Sequence, residues 1–182
     1  MAELPFDPNT LSPEQKAIYD AMVARRKTQG APFDGPYAAL MNHPELCQRI
    51  EELGYYLKFQ GHLQRDVYQF VVLSVARETG AQFEWDDHVQ HAAAAGVPAE
   101  VIEQLQSAGL SGSEFADPYG MAASLLRSTL RWHDIPAEIQ SAAIQRYGLL
   151  AFIEIVVLSG FYQMFAAINQ GFAVARSSCN AR

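Results

Sequence analysis

Apolar residues recur along this chain at spacings of three and four, and the breaks between the runs fall at proline and glycine. Ser12-Pro13-Glu14-Gln15 reads as a helix start: a capping serine, a proline at the first helical position and a glutamine three residues after the cap. That helix runs through Tyr19, Met22 and Val23 to Gly30. Ala31 to Pro36 reads as a Pro/Gly loop and Tyr37 to Met41 as a short apolar turn. Pro44 starts a second helix whose Leu46, Ile50, Leu53, Tyr56 and Leu57 share a face, and Gly61 ends it.

Arg65 to Thr79 differs in kind, because its apolar residues from Val67 to Ala76 cover nearly every side of a helix. Val71-Val72-Leu73 alone would suit a strand, but the whole run is too long for one. It is predicted as a central buried helix, stopped by Gly80. Further helices are predicted over Phe83 to Ala95, with Gly96 and Pro98 just beyond, and over Val97 to Gly109. Asp117-Pro118 opens another, Pro136 a further one, and a strongly apolar helix from Tyr147 to Ile168 closes the fold. No strand-turn-strand pattern competes, so the fold class is all-α, in one domain spanning 1–182 with a core from about 35 to 172 and a short polar tail.

The closing apolar run is long enough to span a bilayer. Glu154 near its middle, with Gly160 and Gln163, makes a buried core helix the expectation instead, with Glu154 paired to a core arginine or facing a subunit interface.

Composition narrows the function classes. The 182 residues are 49% hydrophobic with a net charge of −7, which excludes a disordered polymer and argues against a nucleic-acid partner, whose binders carry a basic stripe. The two cysteines, Cys47 and Cys179, are far apart and no charged-then-apolar leader precedes the first helix, so a reduced, cytoplasmic protein that is not membrane-bound is expected.

Candidate chemistry concentrates in Glu84-Trp85-Asp86-Asp87-His88-Val89-Gln90-His91. On a helix Glu84 and His88 lie four apart on one face, and His91 follows on nearly the same stripe. A carboxylate beside an imidazole is the minimum apparatus for proton transfer, with the acid orienting the ring and keeping its charge change near neutral pH. The same spacing also suits a solvated surface pair. A metal site from Glu84, His88 and His91 is disfavoured, because no HExxH spacing and no second ligand cluster accompany it, so no metal or cofactor is expected.

Taken together, Arg65-Asp66-Val67-Tyr68-Gln69-Phe70-Val71-Val72-Leu73, Ala76 to His88 and Ala95-Gly96-Val97 resemble the carboxymuconolactone decarboxylase family, which includes the AhpD-like alkylhydroperoxidases. The resemblance is tight over the middle third, and Phe152 to Val156 with Gly160 to Met164 looks like the last helix of longer members. It implies an AhpD-like helical bundle around a buried central helix. Set on the redox branch's pattern, His88 takes the place of the histidine, Ala81 and Glu84 stand where its CxxC cysteines would, and Gln69 stands where its relay glutamate would. An alanine cannot attack a peroxide, so a thiol peroxidase is not expected.

What remains resembles a cysteine-free branch: a cofactor-free lyase or decarboxylase acting on a small carboxylated or lactone-like metabolite. There His88 and Glu84 are the candidate catalytic residues, and Arg77, Gln69, Tyr68, Trp85 and His91 the candidate substrate-binding residues. Arg77 equally suits the C-terminal dipole of its helix. A non-catalytic binding or assembly protein is the competing reading. The resemblance also implies a homo-oligomer, a trimer or a dimer of trimers (a hexamer).

Overall fold

The computed structural model describes residues 4–28 and 33–174, and every described element is helical. The helices are α1 (Pro13–Thr28), α2 (Gly35–Leu40), α3 (Pro44–Tyr55), α4 (Arg65–Thr79), α5 (Gln82–Ala94), α6 (Ala99–Ala108), α7 (Tyr119–Thr129), α8 (Ala137–Tyr147) and α9 (Leu149–Gly171). They fall into two compact units.

The first unit holds α1, α2, α3 and the final turn of α9. At its start the Ser12 Oγ accepts the Gln15 amide (3.3 Å) while the Gln15 side chain accepts the Ser12 amide (3.2 Å), the reciprocal cap its sequence predicts. Met22, Met41 and Cys47 form its core, with Ile18, Tyr19 and Phe33 packed around them. The turn expected at Tyr37 to Met41 is instead part of α2, which begins at Gly35-Pro36; proline at the start of a helix presets φ and loses no hydrogen bond. Gln29 to Pro32, including part of the predicted loop, lies outside the described residues.

The second unit runs from Tyr56 to Ala166 and carries the candidate chemistry. The helix predicted to continue to Gly61 changes here to a π-helical turn, Tyr56–Gln60, closed by the Gly61 amide donating to the Tyr56 carbonyl (2.9 Å). The α4 helix is buried continuously from Val67 to Ala76, as its all-round apolar pattern requires, and packs against α5, α6 and α7. Gly80 ends it in the left-handed region (φ 68°), where a glycine carries no Cβ penalty. The chain then reverses directly into α5, which brings the 84–91 segment against the central helix.

In α9 one helix is long and apolar enough to cross a membrane, and 56% of its most apolar stretch is buried within the protein. Glu154 neither pairs with an arginine nor faces away. Its carboxylate accepts the backbone amides of His62 (2.7 Å) and Leu63 (2.9 Å) and meets His62 Nδ1 at 3.0 Å. It caps the segment that leads into α4, a job the apolar pattern alone does not reveal. Leu149, Leu150, Ile153 and Val157 form an exposed apolar stripe on the same helix.

Candidate active site

Three elements of the second unit meet at His88: α4 supplies Tyr68 and Gln69, α5 supplies Glu84 and His88, and α9 supplies Tyr162. All five side chains are buried, and Gln69 has no exposed surface at all. Polar groups in that position must bond to one another or carry a desolvation cost of about 1–3 kcal/mol each.

They do bond, in an ordered line. His88 Nδ1 lies 2.9 Å from Gln69 Oε1, and His88 Nε2 lies 3.2 Å from the Tyr162 hydroxyl, which is 3.1 Å from the Tyr68 hydroxyl. A carbonyl oxygen only accepts, so Nδ1 must carry the proton. In the neutral ring Nε2 is then an acceptor, Tyr162 donates to it, and Tyr68 donates to Tyr162. The Tyr162 ring stands edge-on to the imidazole at a centroid distance of 5.3 Å, which holds the hydroxyl at the nitrogen edge.

Electrostatics keep this line uncharged. Burial drives the His88 pKa down to about 3, and the positive charges of Lys58, His91 and Arg65 push the same way. Burial also lifts the Tyr68 hydroxyl to about 12, against the lowering effect of its bond with Tyr162 and of Arg65. The imidazole therefore does not change charge near neutral pH, in contrast to the expectation from the Glu84–His88 spacing.

Glu84 and His88 do share one buried face, but the carboxylate stands 3.9 Å from Nε2, beyond hydrogen-bond distance. The group that orients the ring is Gln69, not Glu84. Asp87 Oδ2 approaches the same nitrogen at 3.7 Å from a largely exposed side chain. His91 is exposed and borders the site, its ring centroid 5.9 Å from that of His88.

Arg77 and Trp85 belong elsewhere. With Ala76, Gly80, Gln82 and Gln106 they line a separate cavity of about 230 Å³ whose walls include none of Gln69, Glu84 and His88. Arg77 Nε donates to the Gln106 carbonyl (2.8 Å), which ties the end of α4 to α6. That geometry fits a structural role for the arginine better than one in holding a ligand at His88.

The residue that sequence reading missed is Tyr162. It lies 74 positions from His88, and no spacing rule reaches that far. A tyrosine inside so apolar a helix carries the one available signal, since a buried hydroxyl needs a partner.

Ala81 is buried at the position before α5, and Cys47 is fully buried, its thiol pushed up to about 12 by burial and by Glu51. Cys179 lies outside the described residues. Among the described residues no three His, Cys, Asp or Glu side chains are grouped as a metal would require. Compared with known proteins, the chain matches no protein-family model, no curated protein and no solved structure.

Proposed function

We propose that this chain is a thiol-free relative of the carboxymuconolactone decarboxylase family that acts as a cofactor-free lyase on a small carboxylated or lactone-like metabolite. The observation that carries the reading is the buried, singly oriented imidazole of His88. Its Nδ1 is held by Gln69, the residue that the resemblance sets in the relay position, and its Nε2 edge faces Tyr162 and Glu84.

In such a reaction the carbon–carboxylate bond breaks, CO2 leaves, and the electron pair stays on carbon as an enolate-like charge that must take up one proton. The Nε2 edge of His88 is where that proton is handled. A ring held neutral by burial gains proton affinity when an anionic substrate is placed beside it, because an opposite charge favours the protonated form. With the anionic substrate beside it, Nε2 takes up a proton from water, delivers that proton to the carbon that has lost CO2, and returns to the neutral ring. The Glu84 and Asp87 carboxylates stand 3.9 Å and 3.7 Å from that edge.

The same resemblance implies a trimer or a dimer of trimers, and the exposed stripe of Leu150, Ile153 and Val157 on α9 is the face such an assembly would cover. A monomeric mass by light scattering would remove this part of the reading.

The test is turnover on a panel of small carboxylated lactones, read as CO2 release. His88→Ala is expected to lower the rate by about 10²–10⁴-fold, the contribution of a positioned proton-transfer group. Full activity in that variant would take His88 out of the chemistry. Binding across the panel with no turnover in the unmodified protein would favour a binding function instead.

A further inference from the structure

The hydrogen-bond line at His88 is directional, and its direction leaves one donor unspent. Gln69 uses its carbonyl oxygen to accept from His88 Nδ1. With that oxygen committed, the amide nitrogen is locked on the opposite branch of a fully buried side chain, and Nε2 has no hydrogen-bond partner among the described residues. Tyr68, Tyr162 and His88 each spend their proton on the next member of the line. The Gln69 amide group alone has N–H donors to offer.

We infer that the Gln69 amide nitrogen is the ligand's oxygen anchor: it donates to a carboxylate or lactone carbonyl oxygen of the molecule that reaches His88. This rests on the proposed reading of the site and supplies what that reading lacks, a donor to the substrate's oxygen. A donor at zero exposure costs stability while unmet, and a bonded acceptor removes the cost. The charge that builds up on an enolate or departing carboxylate oxygen strengthens a bond from a fixed neutral donor, so the anchor contributes most in the transition state. A glutamate here could hold the His88 Nδ1 proton equally well, but when ionised it would present an oxygen where a substrate oxygen must sit. The amide separates the two tasks between its two ends.

Gln69 is a positioning residue toward His88 and a candidate contact residue toward the ligand, and the two roles are separable by spectroscopy. In the full-length protein labelled with ¹⁵N, the Gln69 side-chain NH2 resonances are followed during titration with acetate, benzoate and γ-butyrolactone. The expected result is a saturable shift of those resonances with at least one probe. In Gln69→Glu the affinity for that probe is expected to fall about ten- to hundredfold, the loss of a hydrogen bond to a charged or strongly polar acceptor. Gln69→Met, similar in shape and lacking both amide ends, is expected to lose the same affinity and also to release His88 from its Nδ1–H tautomer.

Gln69 resonances that none of the three probes moves would overturn the inference. So would a crystal structure with bound probe in which Gln69 Nε2 makes no hydrogen bond to the probe. Failure of the parent reading looks different: His88→Ala would keep full turnover while the Gln69 resonances still responded to the probe.

Discussion

His88 Nδ1 sits 2.9 Å from Gln69 Oε1, and this contact between the two central helices of the second unit sets the protonation state of the site. The carbonyl dictates the tautomer, burial dictates neutrality, and the nitrogen that remains basic is the one turned toward Tyr162 and Glu84.

One consequence concerns stability against pH. The folded-state pKa of His88 is depressed to about 3, whereas in the unfolded chain it returns to the ordinary value near 6.5. Between these values the unfolded state binds the extra proton, so the stabilising contribution of the neutral ring is complete above about pH 6.5 and is lost as pH falls toward 3. The expected slope from this one group is about 1.4 kcal/mol per pH unit at its steepest. Urea unfolding of the parent and of His88→Gln from pH 7 to pH 4 isolates it, and identical slopes in the two proteins would show that His88 titrates normally. The ¹⁵N spectrum of the protein without added ligand should likewise show His88 as a fixed Nδ1–H tautomer from about pH 5 to pH 8.

Tyr162→Phe removes a hydroxyl that both donates to His88 Nε2 and accepts from Tyr68. Two buried partners are left unmet, and the expected loss of stability is about 1–3 kcal/mol. A merely structural effect would end there. The relationship described here adds a signature: the His88 Nε2 resonance moves toward that of a free acceptor nitrogen while Nδ1, still held by Gln69, keeps its proton. An unchanged Nε2 resonance would mean that Tyr162 is not bonded to the ring.

Glu154 and Gly61 make a coupled pair. The Glu154 carboxylate accepts two backbone amides just after Gly61, and a Cβ on Gly61 would stand 2.9 Å from Glu154 Oε2 and 3.2 Å from the Leu57 carbonyl oxygen. Glu154→Ala should cost about 1.5–3 kcal/mol, because the His62 and Leu63 amides both lose Oε2, the one charged oxygen that accepts them. Gly61→Ala should destabilise the parent more than it destabilises Glu154→Ala, where the clashing carboxylate is gone. Strict additivity in that double-mutant cycle, measured by thermal unfolding, would show that the two positions do not touch.

The pattern of residues along the chain was enough for several features that depend on neighbours within a turn or two, although not for α2 or the π-helical turn at Tyr56–Gln60. The Ser12–Gln15 cap, the extent of α4 at Arg65–Thr79 and its stop at Gly80 each follow from short-range hydrogen bonding, side-chain entropy and the freedom of glycine. So does the placing of Glu84 and His88 on one face of α5, because four residues make one helical turn. Burial of α4 was also legible, since a helix apolar on all sides has no solvent face to offer.

Only the tertiary structure decided which groups meet. Gln69 rather than Glu84 orients His88 because α4 packs on α5 with that amide facing the ring, and interhelical register is not written in the period of either helix alone. Tyr162 arrives from the far end of the unit, and Glu154 finds backbone amides in place of the arginine that its charge suggested. Arg77, a near neighbour of the site in sequence, was drawn to the Gln106 carbonyl instead. Local propensity acts over a few residues, whereas the satisfaction of buried polar groups is a property of the whole packed unit, and it is this second requirement that assembled the candidate site.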